Sequence, residues 1–397
     1  MLDSIIKRLW RQLSGEDIWT YAPIVVVMLA LSLIYSILLQ SHPNNRQFLR
    51  IVFCFLATLA LALFCGLRHM SVGTDTERYY HMIGDEFSIS VEQVIDNFLP
   101  NRLENQDAQQ IPRDVVFYII SDQMRMLGLS EYGVFCVYAL FYVGVAGWLI
   151  YRYSVSPVVA FFTFMALGVY VFGFTGLRQA IAMGWTMLAY PFIQRRKLLF
   201  FTFFVLVGML FHKSALVFFP AYFIVHRRIR LSFVLILCAV AFYLFSHANN
   251  LSSYIVQYLG SLDDRVEGYF GSADEELNRS FSTCIIRFVI FFLFIIVCGR
   301  KGFTKEETIW VNMLFIGAIF ELFSIKGWAG MPRLGLYYSG YTMLLMPNLI
   351  ERAKHYIPLP YAITVATFAA LASLYFMKVI SVFGPYHFNW YGWINVG

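Results

Sequence analysis

The chain has 397 residues, of which 59% are apolar and 14% charged, and its formal net charge is +6. An average soluble domain carries about 25% charged residues, so this composition excludes a large soluble enzyme. The basic residues fall in short clusters between apolar runs, which also excludes a nucleic-acid-binding patch.

The apolar runs reach the roughly 20 residues needed to cross a bilayer. The expected fold is therefore all-α, a single polytopic membrane helical bundle over residues 1–397. Residues 1–18 read as an amphipathic segment lying on the membrane surface, broken by Lys7, Arg8 and Arg11, and not as a cleavable signal peptide. About twelve spans follow, near 20–40, 48–67, 132–151, 156–174, 176–194, 198–212, 213–226, 231–247, 281–299, 308–325, 335–350 and 358–377. The sixth and seventh are short and meet in a hairpin at His212-Lys213. Residues 113–128 have helical spacing but carry Asp114, Asp122, Gln123 and Arg125, so they are expected to lie on the membrane or dip partly into it.

Basic residues set orientation, because Lys and Arg concentrate in cytoplasmic loops. One set of loops holds Arg46 and Arg50, Arg152, Arg195 to Lys197, Arg227 to Arg230, Arg300 to Lys305, and Arg352 with Lys354. Its acids are only Glu306, Glu307 and Glu351, whereas the opposite set is richer in acids than in bases. The first set is assigned to the cytoplasm. Both termini and the long loops 68–130 and 248–280 then lie outside, provided 113–128 does not cross.

Three polar clusters sit at the outer ends of spans: Gly73-Thr74-Asp75-Thr76 with Tyr79-Tyr80, Gly176-Leu177-Arg178-Gln179-Ala180-Ile181-Ala182, and Phe211-His212-Lys213-Ser214. Ionisable groups at such positions are costly and commonly mark a substrate path. Arg178 opens a helix, where free N–H groups add to the anion attraction of its guanidinium; an interfacial anchor is the plain alternative. Arg68, Arg287 and Arg333 are placed near the same boundary, and four Arg on one face suit a diphosphate. Arg333 lies in Gly330-Met331-Pro332-Arg333-Leu334-Gly335-Leu336-Tyr337, where Pro and Gly break the helix. Asp75 reads either as a general base or as a helix cap. Tyr79 and Tyr80 read as a sugar platform or as interfacial aromatics. His212 can move a proton near neutral pH, and Lys213 can meet an anion. Glu321, inside a span, reads as structural or as a proton relay. Cys54, Cys65, Cys136, Cys238, Cys284 and Cys298 show no disulfide framework and no metal-ligand spacing. No phosphate-binding loop, dinucleotide fingerprint or zinc helix is present, so no cofactor and no metal is expected.

Gly66-Leu67-Arg68 with Gly73-Thr74-Asp75-Thr76 and Tyr79, Leu177-Arg178-Gln179-Ala180-Ile181-Ala182, and Phe211-His212-Lys213-Ser214-Ala215-Leu216, in that order, resemble the EpsG family of membrane polysaccharide polymerases. That family is similar to the Wzy O-antigen polymerases, and the expected architecture resembles C-type membrane glycosyltransferases. The resemblance covers about residues 20 to 350, and the polar 81–130 stretch has no matching motif. It implies a bacterial inner-membrane enzyme with a periplasmic site, joining undecaprenyl-diphosphate-linked oligosaccharide units into O-antigen, capsule or exopolysaccharide. Asp75 and His212 are then the candidate catalytic residues. Arg68, Tyr79, Tyr80, Arg178, Gln179, Lys213, Arg287, Arg333 and Tyr337 are the candidate binding residues. Expected partners are the lipid-linked glycans, membrane lipids and a chain-length regulator protein. The rival readings are a flippase or exporter of lipid-linked glycans, an O-antigen ligase, and an acyltransferase built around His212.

Overall fold

The computed structural model describes residues 17–84, 115–227, 277–299, 302–324 and 330–354, with isolated positions 243, 247, 367, 370, 371, 374 and 375. The described residues form helices and no β-strand. Most of the N-terminal amphipathic segment, residues 85–114, and most of the spans at 231–247 and 358–377 lie outside the described residues.

Helix α1 (Asp17–Ser41) and helix α2 (Arg46–Gly66) are joined by a short 3-10 turn at Pro43–Asn45. Val26, Leu33 and Ile37 on α1 are exposed while Tyr21 and Met28 are buried, as expected of a helix with one face toward lipid. After the short helices α3 (Thr76–Gly84) and α4 (Val115–Met126) comes α5 (Glu131–Tyr153). Ser130 caps α5 by accepting a hydrogen bond from the Gly133 N–H at 3.2 Å. Helices α2 and α5 run antiparallel. At one end the Arg50 guanidinium donates to the carbonyls of Tyr151 (2.8 Å) and Ser154 (2.5 Å). At the other, Gly66 lies so close to Cys136 that an added Cβ would sit 2.7 Å from its Cα.

Among the described residues, the spans expected at 20–40, 48–67 and 132–151 are the three helices long and apolar enough to cross a membrane. The runs at 156–174, 176–194, 213–226 and 335–350 are interrupted, and the expected count of about twelve is not reached by that measure among the described residues. The run at 156–174 divides into α6 (Pro157–Ala166) and α7 (Val169–Phe172) at Gly168, whose φ is +84°. The run at 176–194 divides into α8 (Leu177–Leu188) and α9 (Tyr190–Gln194), with Pro191 at the junction. After α10 (Leu198–Phe211), the run at 213–226 is a 3-10 helix (Lys213–Phe218), Pro220 and α11 (Ala221–Ile224). Helix α12 (Leu277–Gly299) begins four residues earlier than expected, inside the predicted 248–280 loop. Helix α13 (Lys305–Ser324) is continuous, and the run at 335–350 becomes α14 (Met331–Ser339) and α15 (Thr342–Ala353).

The contacts separate two ends of the bundle. Arg50 with the end of α5, Tyr153 against Tyr190 at 5.0 Å, and Arg352 bound to Glu307 at 2.5 Å gather at one end. A reciprocal cap starts α13 there: Glu307 Oε2 accepts from the Thr304 N–H at 2.8 Å, and Thr304 Oγ1 accepts from the Glu307 N–H at 3.1 Å. The turn after α2, the start of α8, the end of α10 and the start of α14 lie at the other. Helix α4, of 12 residues, is about 18 Å long, short of the roughly 30 Å hydrocarbon core. It packs by Phe117 against Tyr79 (5.7 Å) and Tyr138 (5.2 Å). The turn after α2 and the start of α8 lie at the same end, where the Thr74 and Thr175 hydroxyls are 2.6 Å apart.

Candidate active site

The Gly73–Thr76 turn docks on the segment that leads into α8. Thr76 Oγ1 donates to the carbonyls of Val72 and Phe174, both at 2.7 Å. Thr74 and Thr175 share a hydroxyl hydrogen bond of 2.6 Å. Gly73 has φ +101°, and an added Cβ would lie 2.1 Å from the Phe174 carbonyl oxygen. Only glycine fits that backbone and that approach. Asp75 stands at the head of α3, where its carbonyl accepts from the Tyr79 N–H at 3.1 Å. Its position is that of a cap, yet among the described residues its half-buried carboxylate has no hydrogen-bond or ion-pair partner.

Arg68 lies beneath this turn with no exposed surface. Its Nη1 donates to the Cys65 carbonyl at 2.6 Å, its Nε reaches Thr76 Oγ1 at 3.5 Å, and Phe135 and Phe174 flank the guanidinium at 5.1 and 5.8 Å. A buried cation held this way braces the turn from below.

Arg178 and Gln179, in the first turn of α8, point to two different neighbours. The Arg178 guanidinium lies over the Tyr79 ring at 5.4 Å, and its Nε donates to the Tyr79 hydroxyl at 3.3 Å. Tyr79 is buried, so it orients Arg178 and offers no open sugar platform. Gln179, also buried, donates from Nε2 to the Arg333 carbonyl at 2.7 Å. The Arg333 side chain is exposed.

One turn along α14, the buried Tyr337 meets the hairpin after α10. Its hydroxyl and Ser214 Oγ are 2.9 Å apart, and Ser214 Oγ lies 2.6 Å from His212 Nδ1. Tyr338 anchors the same hairpin by donating to the Val217 carbonyl at 2.5 Å. Gly317 of α13 and Gly335 of α14 let those two helices pack closely, because an added Cβ at Gly335 would sit 3.0 Å from the Gly317 carbonyl oxygen. The three sequence clusters are thus joined in one series, Asp75 turn to Tyr79, Arg178, Gln179, Arg333, Tyr337, Ser214 and His212. Lys213 is exposed beside it, and among the described residues neither Lys213 nor Arg333 has an ion-pair partner.

Two predicted binding residues stand apart. Arg287, expected at the outer boundary, is buried midway along α12, paired with Glu321 of α13 and 3.5 Å from the Leu167 carbonyl. Desolvated Arg and carboxylate side chains require each other, so Glu321 takes the place assigned to substrate oxygen. Tyr80 is half-buried and packs on Tyr132 at 5.2 Å.

The gathered groups are cations, hydroxyls, one imidazole and one carboxylate, a set suited to phosphate and sugar oxygens. The model of the EpsG family matches residues 51–393, most of the chain. The chain belongs to the EpsG family. EpsG proteins form a polysaccharide-polymerase-like family, and with its apolar helices this member is a membrane protein of polysaccharide biosynthesis. No curated protein and no solved structure matches.

Ser214 and Thr175 were not among the residues expected in the EpsG site. Ser214 follows His212 by two positions, the spacing at which a hydroxyl can reach Nδ1, and that signal was legible. Thr175 precedes Gly176 with no pattern of its own; its role exists only because Thr74 is brought against it from 101 positions away.

Proposed function

We propose that this EpsG-family protein is a membrane glycosyltransferase that polymerises undecaprenyl-diphosphate-linked oligosaccharide units on the periplasmic face of the bacterial inner membrane. The observation that carries the reading is the single series from the Asp75 turn through Arg178 and Arg333 to His212. It sets three cations at one end of the bundle with an imidazole and the Asp75 carboxylate, which has no partner among the described residues. That end is opposite the one bearing Arg50, Arg152 and Arg195 to Lys197, which supports an outside location. The architecture this reading expects is a bundle of about twelve spans of the C-type kind.

Arg178, Arg333 and Lys213 bind the donor diphosphate and stabilise the charge that grows on it as it leaves. Arg68 and Tyr79 hold the turn and Arg178 in place. Asp75 and His212 are the two candidates for the base that takes the acceptor hydroxyl proton. A chain-length regulator in the same membrane is the protein partner this activity calls for.

Deleting the gene in the producing strain tests the reading. A polymerase loss leaves single repeat units on the outside. Absence of any external repeat unit points to a flippase, and full-length glycan left unattached to its final lipid points to a ligase. Either result overturns the proposal.

A further inference from the structure

At the end of the bundle opposite the Asp75 turn, exposed cations from two elements meet at one side chain. Arg152 lies in the last turn of α5 and Arg195 follows α9, and both act electrostatically on the Tyr153 hydroxyl. The Tyr153 ring is held edge-on to Tyr190 at 5.0 Å and to Trp148 at 6.3 Å. Arg196 and Lys197 continue the turn after α9 and are exposed, as Arg152 and Arg195 are. Among the described residues none of these four cations has an ion-pair partner, and the Tyr153 hydroxyl has no hydrogen-bond partner. Glu306, near the head of α13, is the acid that acts on the same hydroxyl, and it pairs with none of the four.

The turn itself has an unusual occupant. The Arg196 and Lys197 N–H groups donate to the carbonyls of Ile193 at 3.1 Å and Phe192 at 2.9 Å, which closes the end of α9. Arg196 has φ +56°, the left-handed conformation that favours glycine, yet an arginine stands there. Membrane orientation explains an excess of Lys and Arg in such loops. It does not require them to meet at one hydroxyl beside an interfacial tryptophan, nor an exposed apolar face to begin at the next residue. That face does begin there, with Leu198, Leu199, Phe200 and Phe203 of α10 all exposed.

We infer that this corner is a binding site for an anionic phospholipid of the adjoining leaflet. Arg152 and Arg195 hold the headgroup phosphate, the Tyr153 hydroxyl donates to one of its oxygens, and the acyl chains lie along α10. Charge complementarity selects the occupant: four cations against one carboxylate leave an excess of positive charge, which suits a headgroup of net negative charge and not a zwitterion. Arginine forks match phosphate oxygens. The inference does not rest on the polymerase reading, since it concerns the other end of the bundle.

The full chain, purified in a neutral detergent and stripped of lipid, is offered phosphatidylglycerol or phosphatidylcholine with the same acyl chains. Native mass spectrometry reads the lipid retained, and thermal unfolding is followed alongside. Phosphatidylglycerol should be retained and should raise Tm, and phosphatidylcholine should do neither. Arg152→Gln combined with Arg195→Gln should weaken phosphatidylglycerol binding about 30-fold, the scale of two basic residues facing an anionic headgroup. Arg46→Gln combined with Lys354→Gln removes the same charge from the starts and ends of other helices at this end, α2 and α15, and should bind as wild type does. Equal loss from both pairs reduces the corner to diffuse charge. Equal retention of the two lipids removes the cations from binding. A rise in Tm with inorganic phosphate that matches the rise with phosphatidylglycerol makes it a site for a soluble anion. Each of these overturns the inference. Should the Arg152, Arg195 pair fail to fold, Arg195→Gln alone must still lose about fivefold, and wild-type binding by that variant overturns the inference as well.

Discussion

At the scale of single residues, identical side chains have divergent fates. Arg68, Arg178, Arg287 and Arg333 all stand near polar breaks in apolar sequence and read alike there. In the structure Arg68 and Arg287 are buried, Arg178 is half-buried on Tyr79, and Arg333 is exposed. The difference comes from partners remote in sequence, Phe135 and Phe174 for Arg68 and Glu321 for Arg287, which no local pattern encodes. Arg178→Lys should cut polymer yield by about 100-fold, the scale of losing a placed donor to a developing anion, because Lys keeps the charge but not the planar fork. Normal polymer from that variant would sink the diphosphate role. For the buried pair, Glu321→Ala should lower stability by about 3–5 kcal/mol by stranding a cation. The double variant Arg287→Met, Glu321→Leu should recover most of that loss. Thermal unfolding in detergent checks both; a single variant as stable as wild type would show that the pair is not sealed from water.

At the scale of elements, the sharpest test is the turn that carries Asp75. Gly73→Ala adds a methyl at φ +101° against the Phe174 carbonyl. It should displace the turn from α8, cost more than about 1 kcal/mol and reduce polymer yield at least tenfold. Unchanged yield would mean that docking of this turn is irrelevant to activity. The long helices α1, α2 and α5 were legible because unbroken apolar runs with polar ends leave no other arrangement in a bilayer. The interruptions were not. Gly168, Pro220 and the Gly340-Tyr341 junction look tolerable in sequence, since Gly and Pro are common in membrane helices. Neighbours take backbone carbonyls beside two of these breaks: Tyr142 takes that of Val169 at 2.6 Å next to Gly168, and Tyr338 takes that of Val217 at 2.5 Å shortly before Pro220. The three-cluster site was legible as a set of positions, because each cluster ends a run at the same side. Its wiring, through Thr175, Ser214 and Tyr337, depends on folding.

At the scale of the whole molecule, two ends with different chemistry imply a fixed orientation. Ser71→Cys, at the exposed edge of the site, should react with a membrane-impermeant maleimide in intact spheroplasts, and Lys197→Cys only after permeabilisation. The five described native cysteines are buried and should contribute little background. The reverse labelling pattern would place the site in the cytoplasm. The hairpin that carries His212 adds a further consequence. Helix α10 has 14 residues and a length of about 21 Å, against about 30 Å of hydrocarbon. Leu199, Phe203, Leu206 and Leu210 on it are exposed as lipid-facing residues would be. Lipid beside this edge has to shorten or dip to meet it, since hydrophobic mismatch is relieved by local thinning. His212 then sits at the floor of a dimple in the leaflet, where a charged headgroup can descend while its long tail stays in oil. Bilayer thickness becomes a variable of the reaction: activity in reconstituted vesicles should rise as the acyl chains are shortened toward the length of α10, and an activity indifferent to chain length would argue against the dimple.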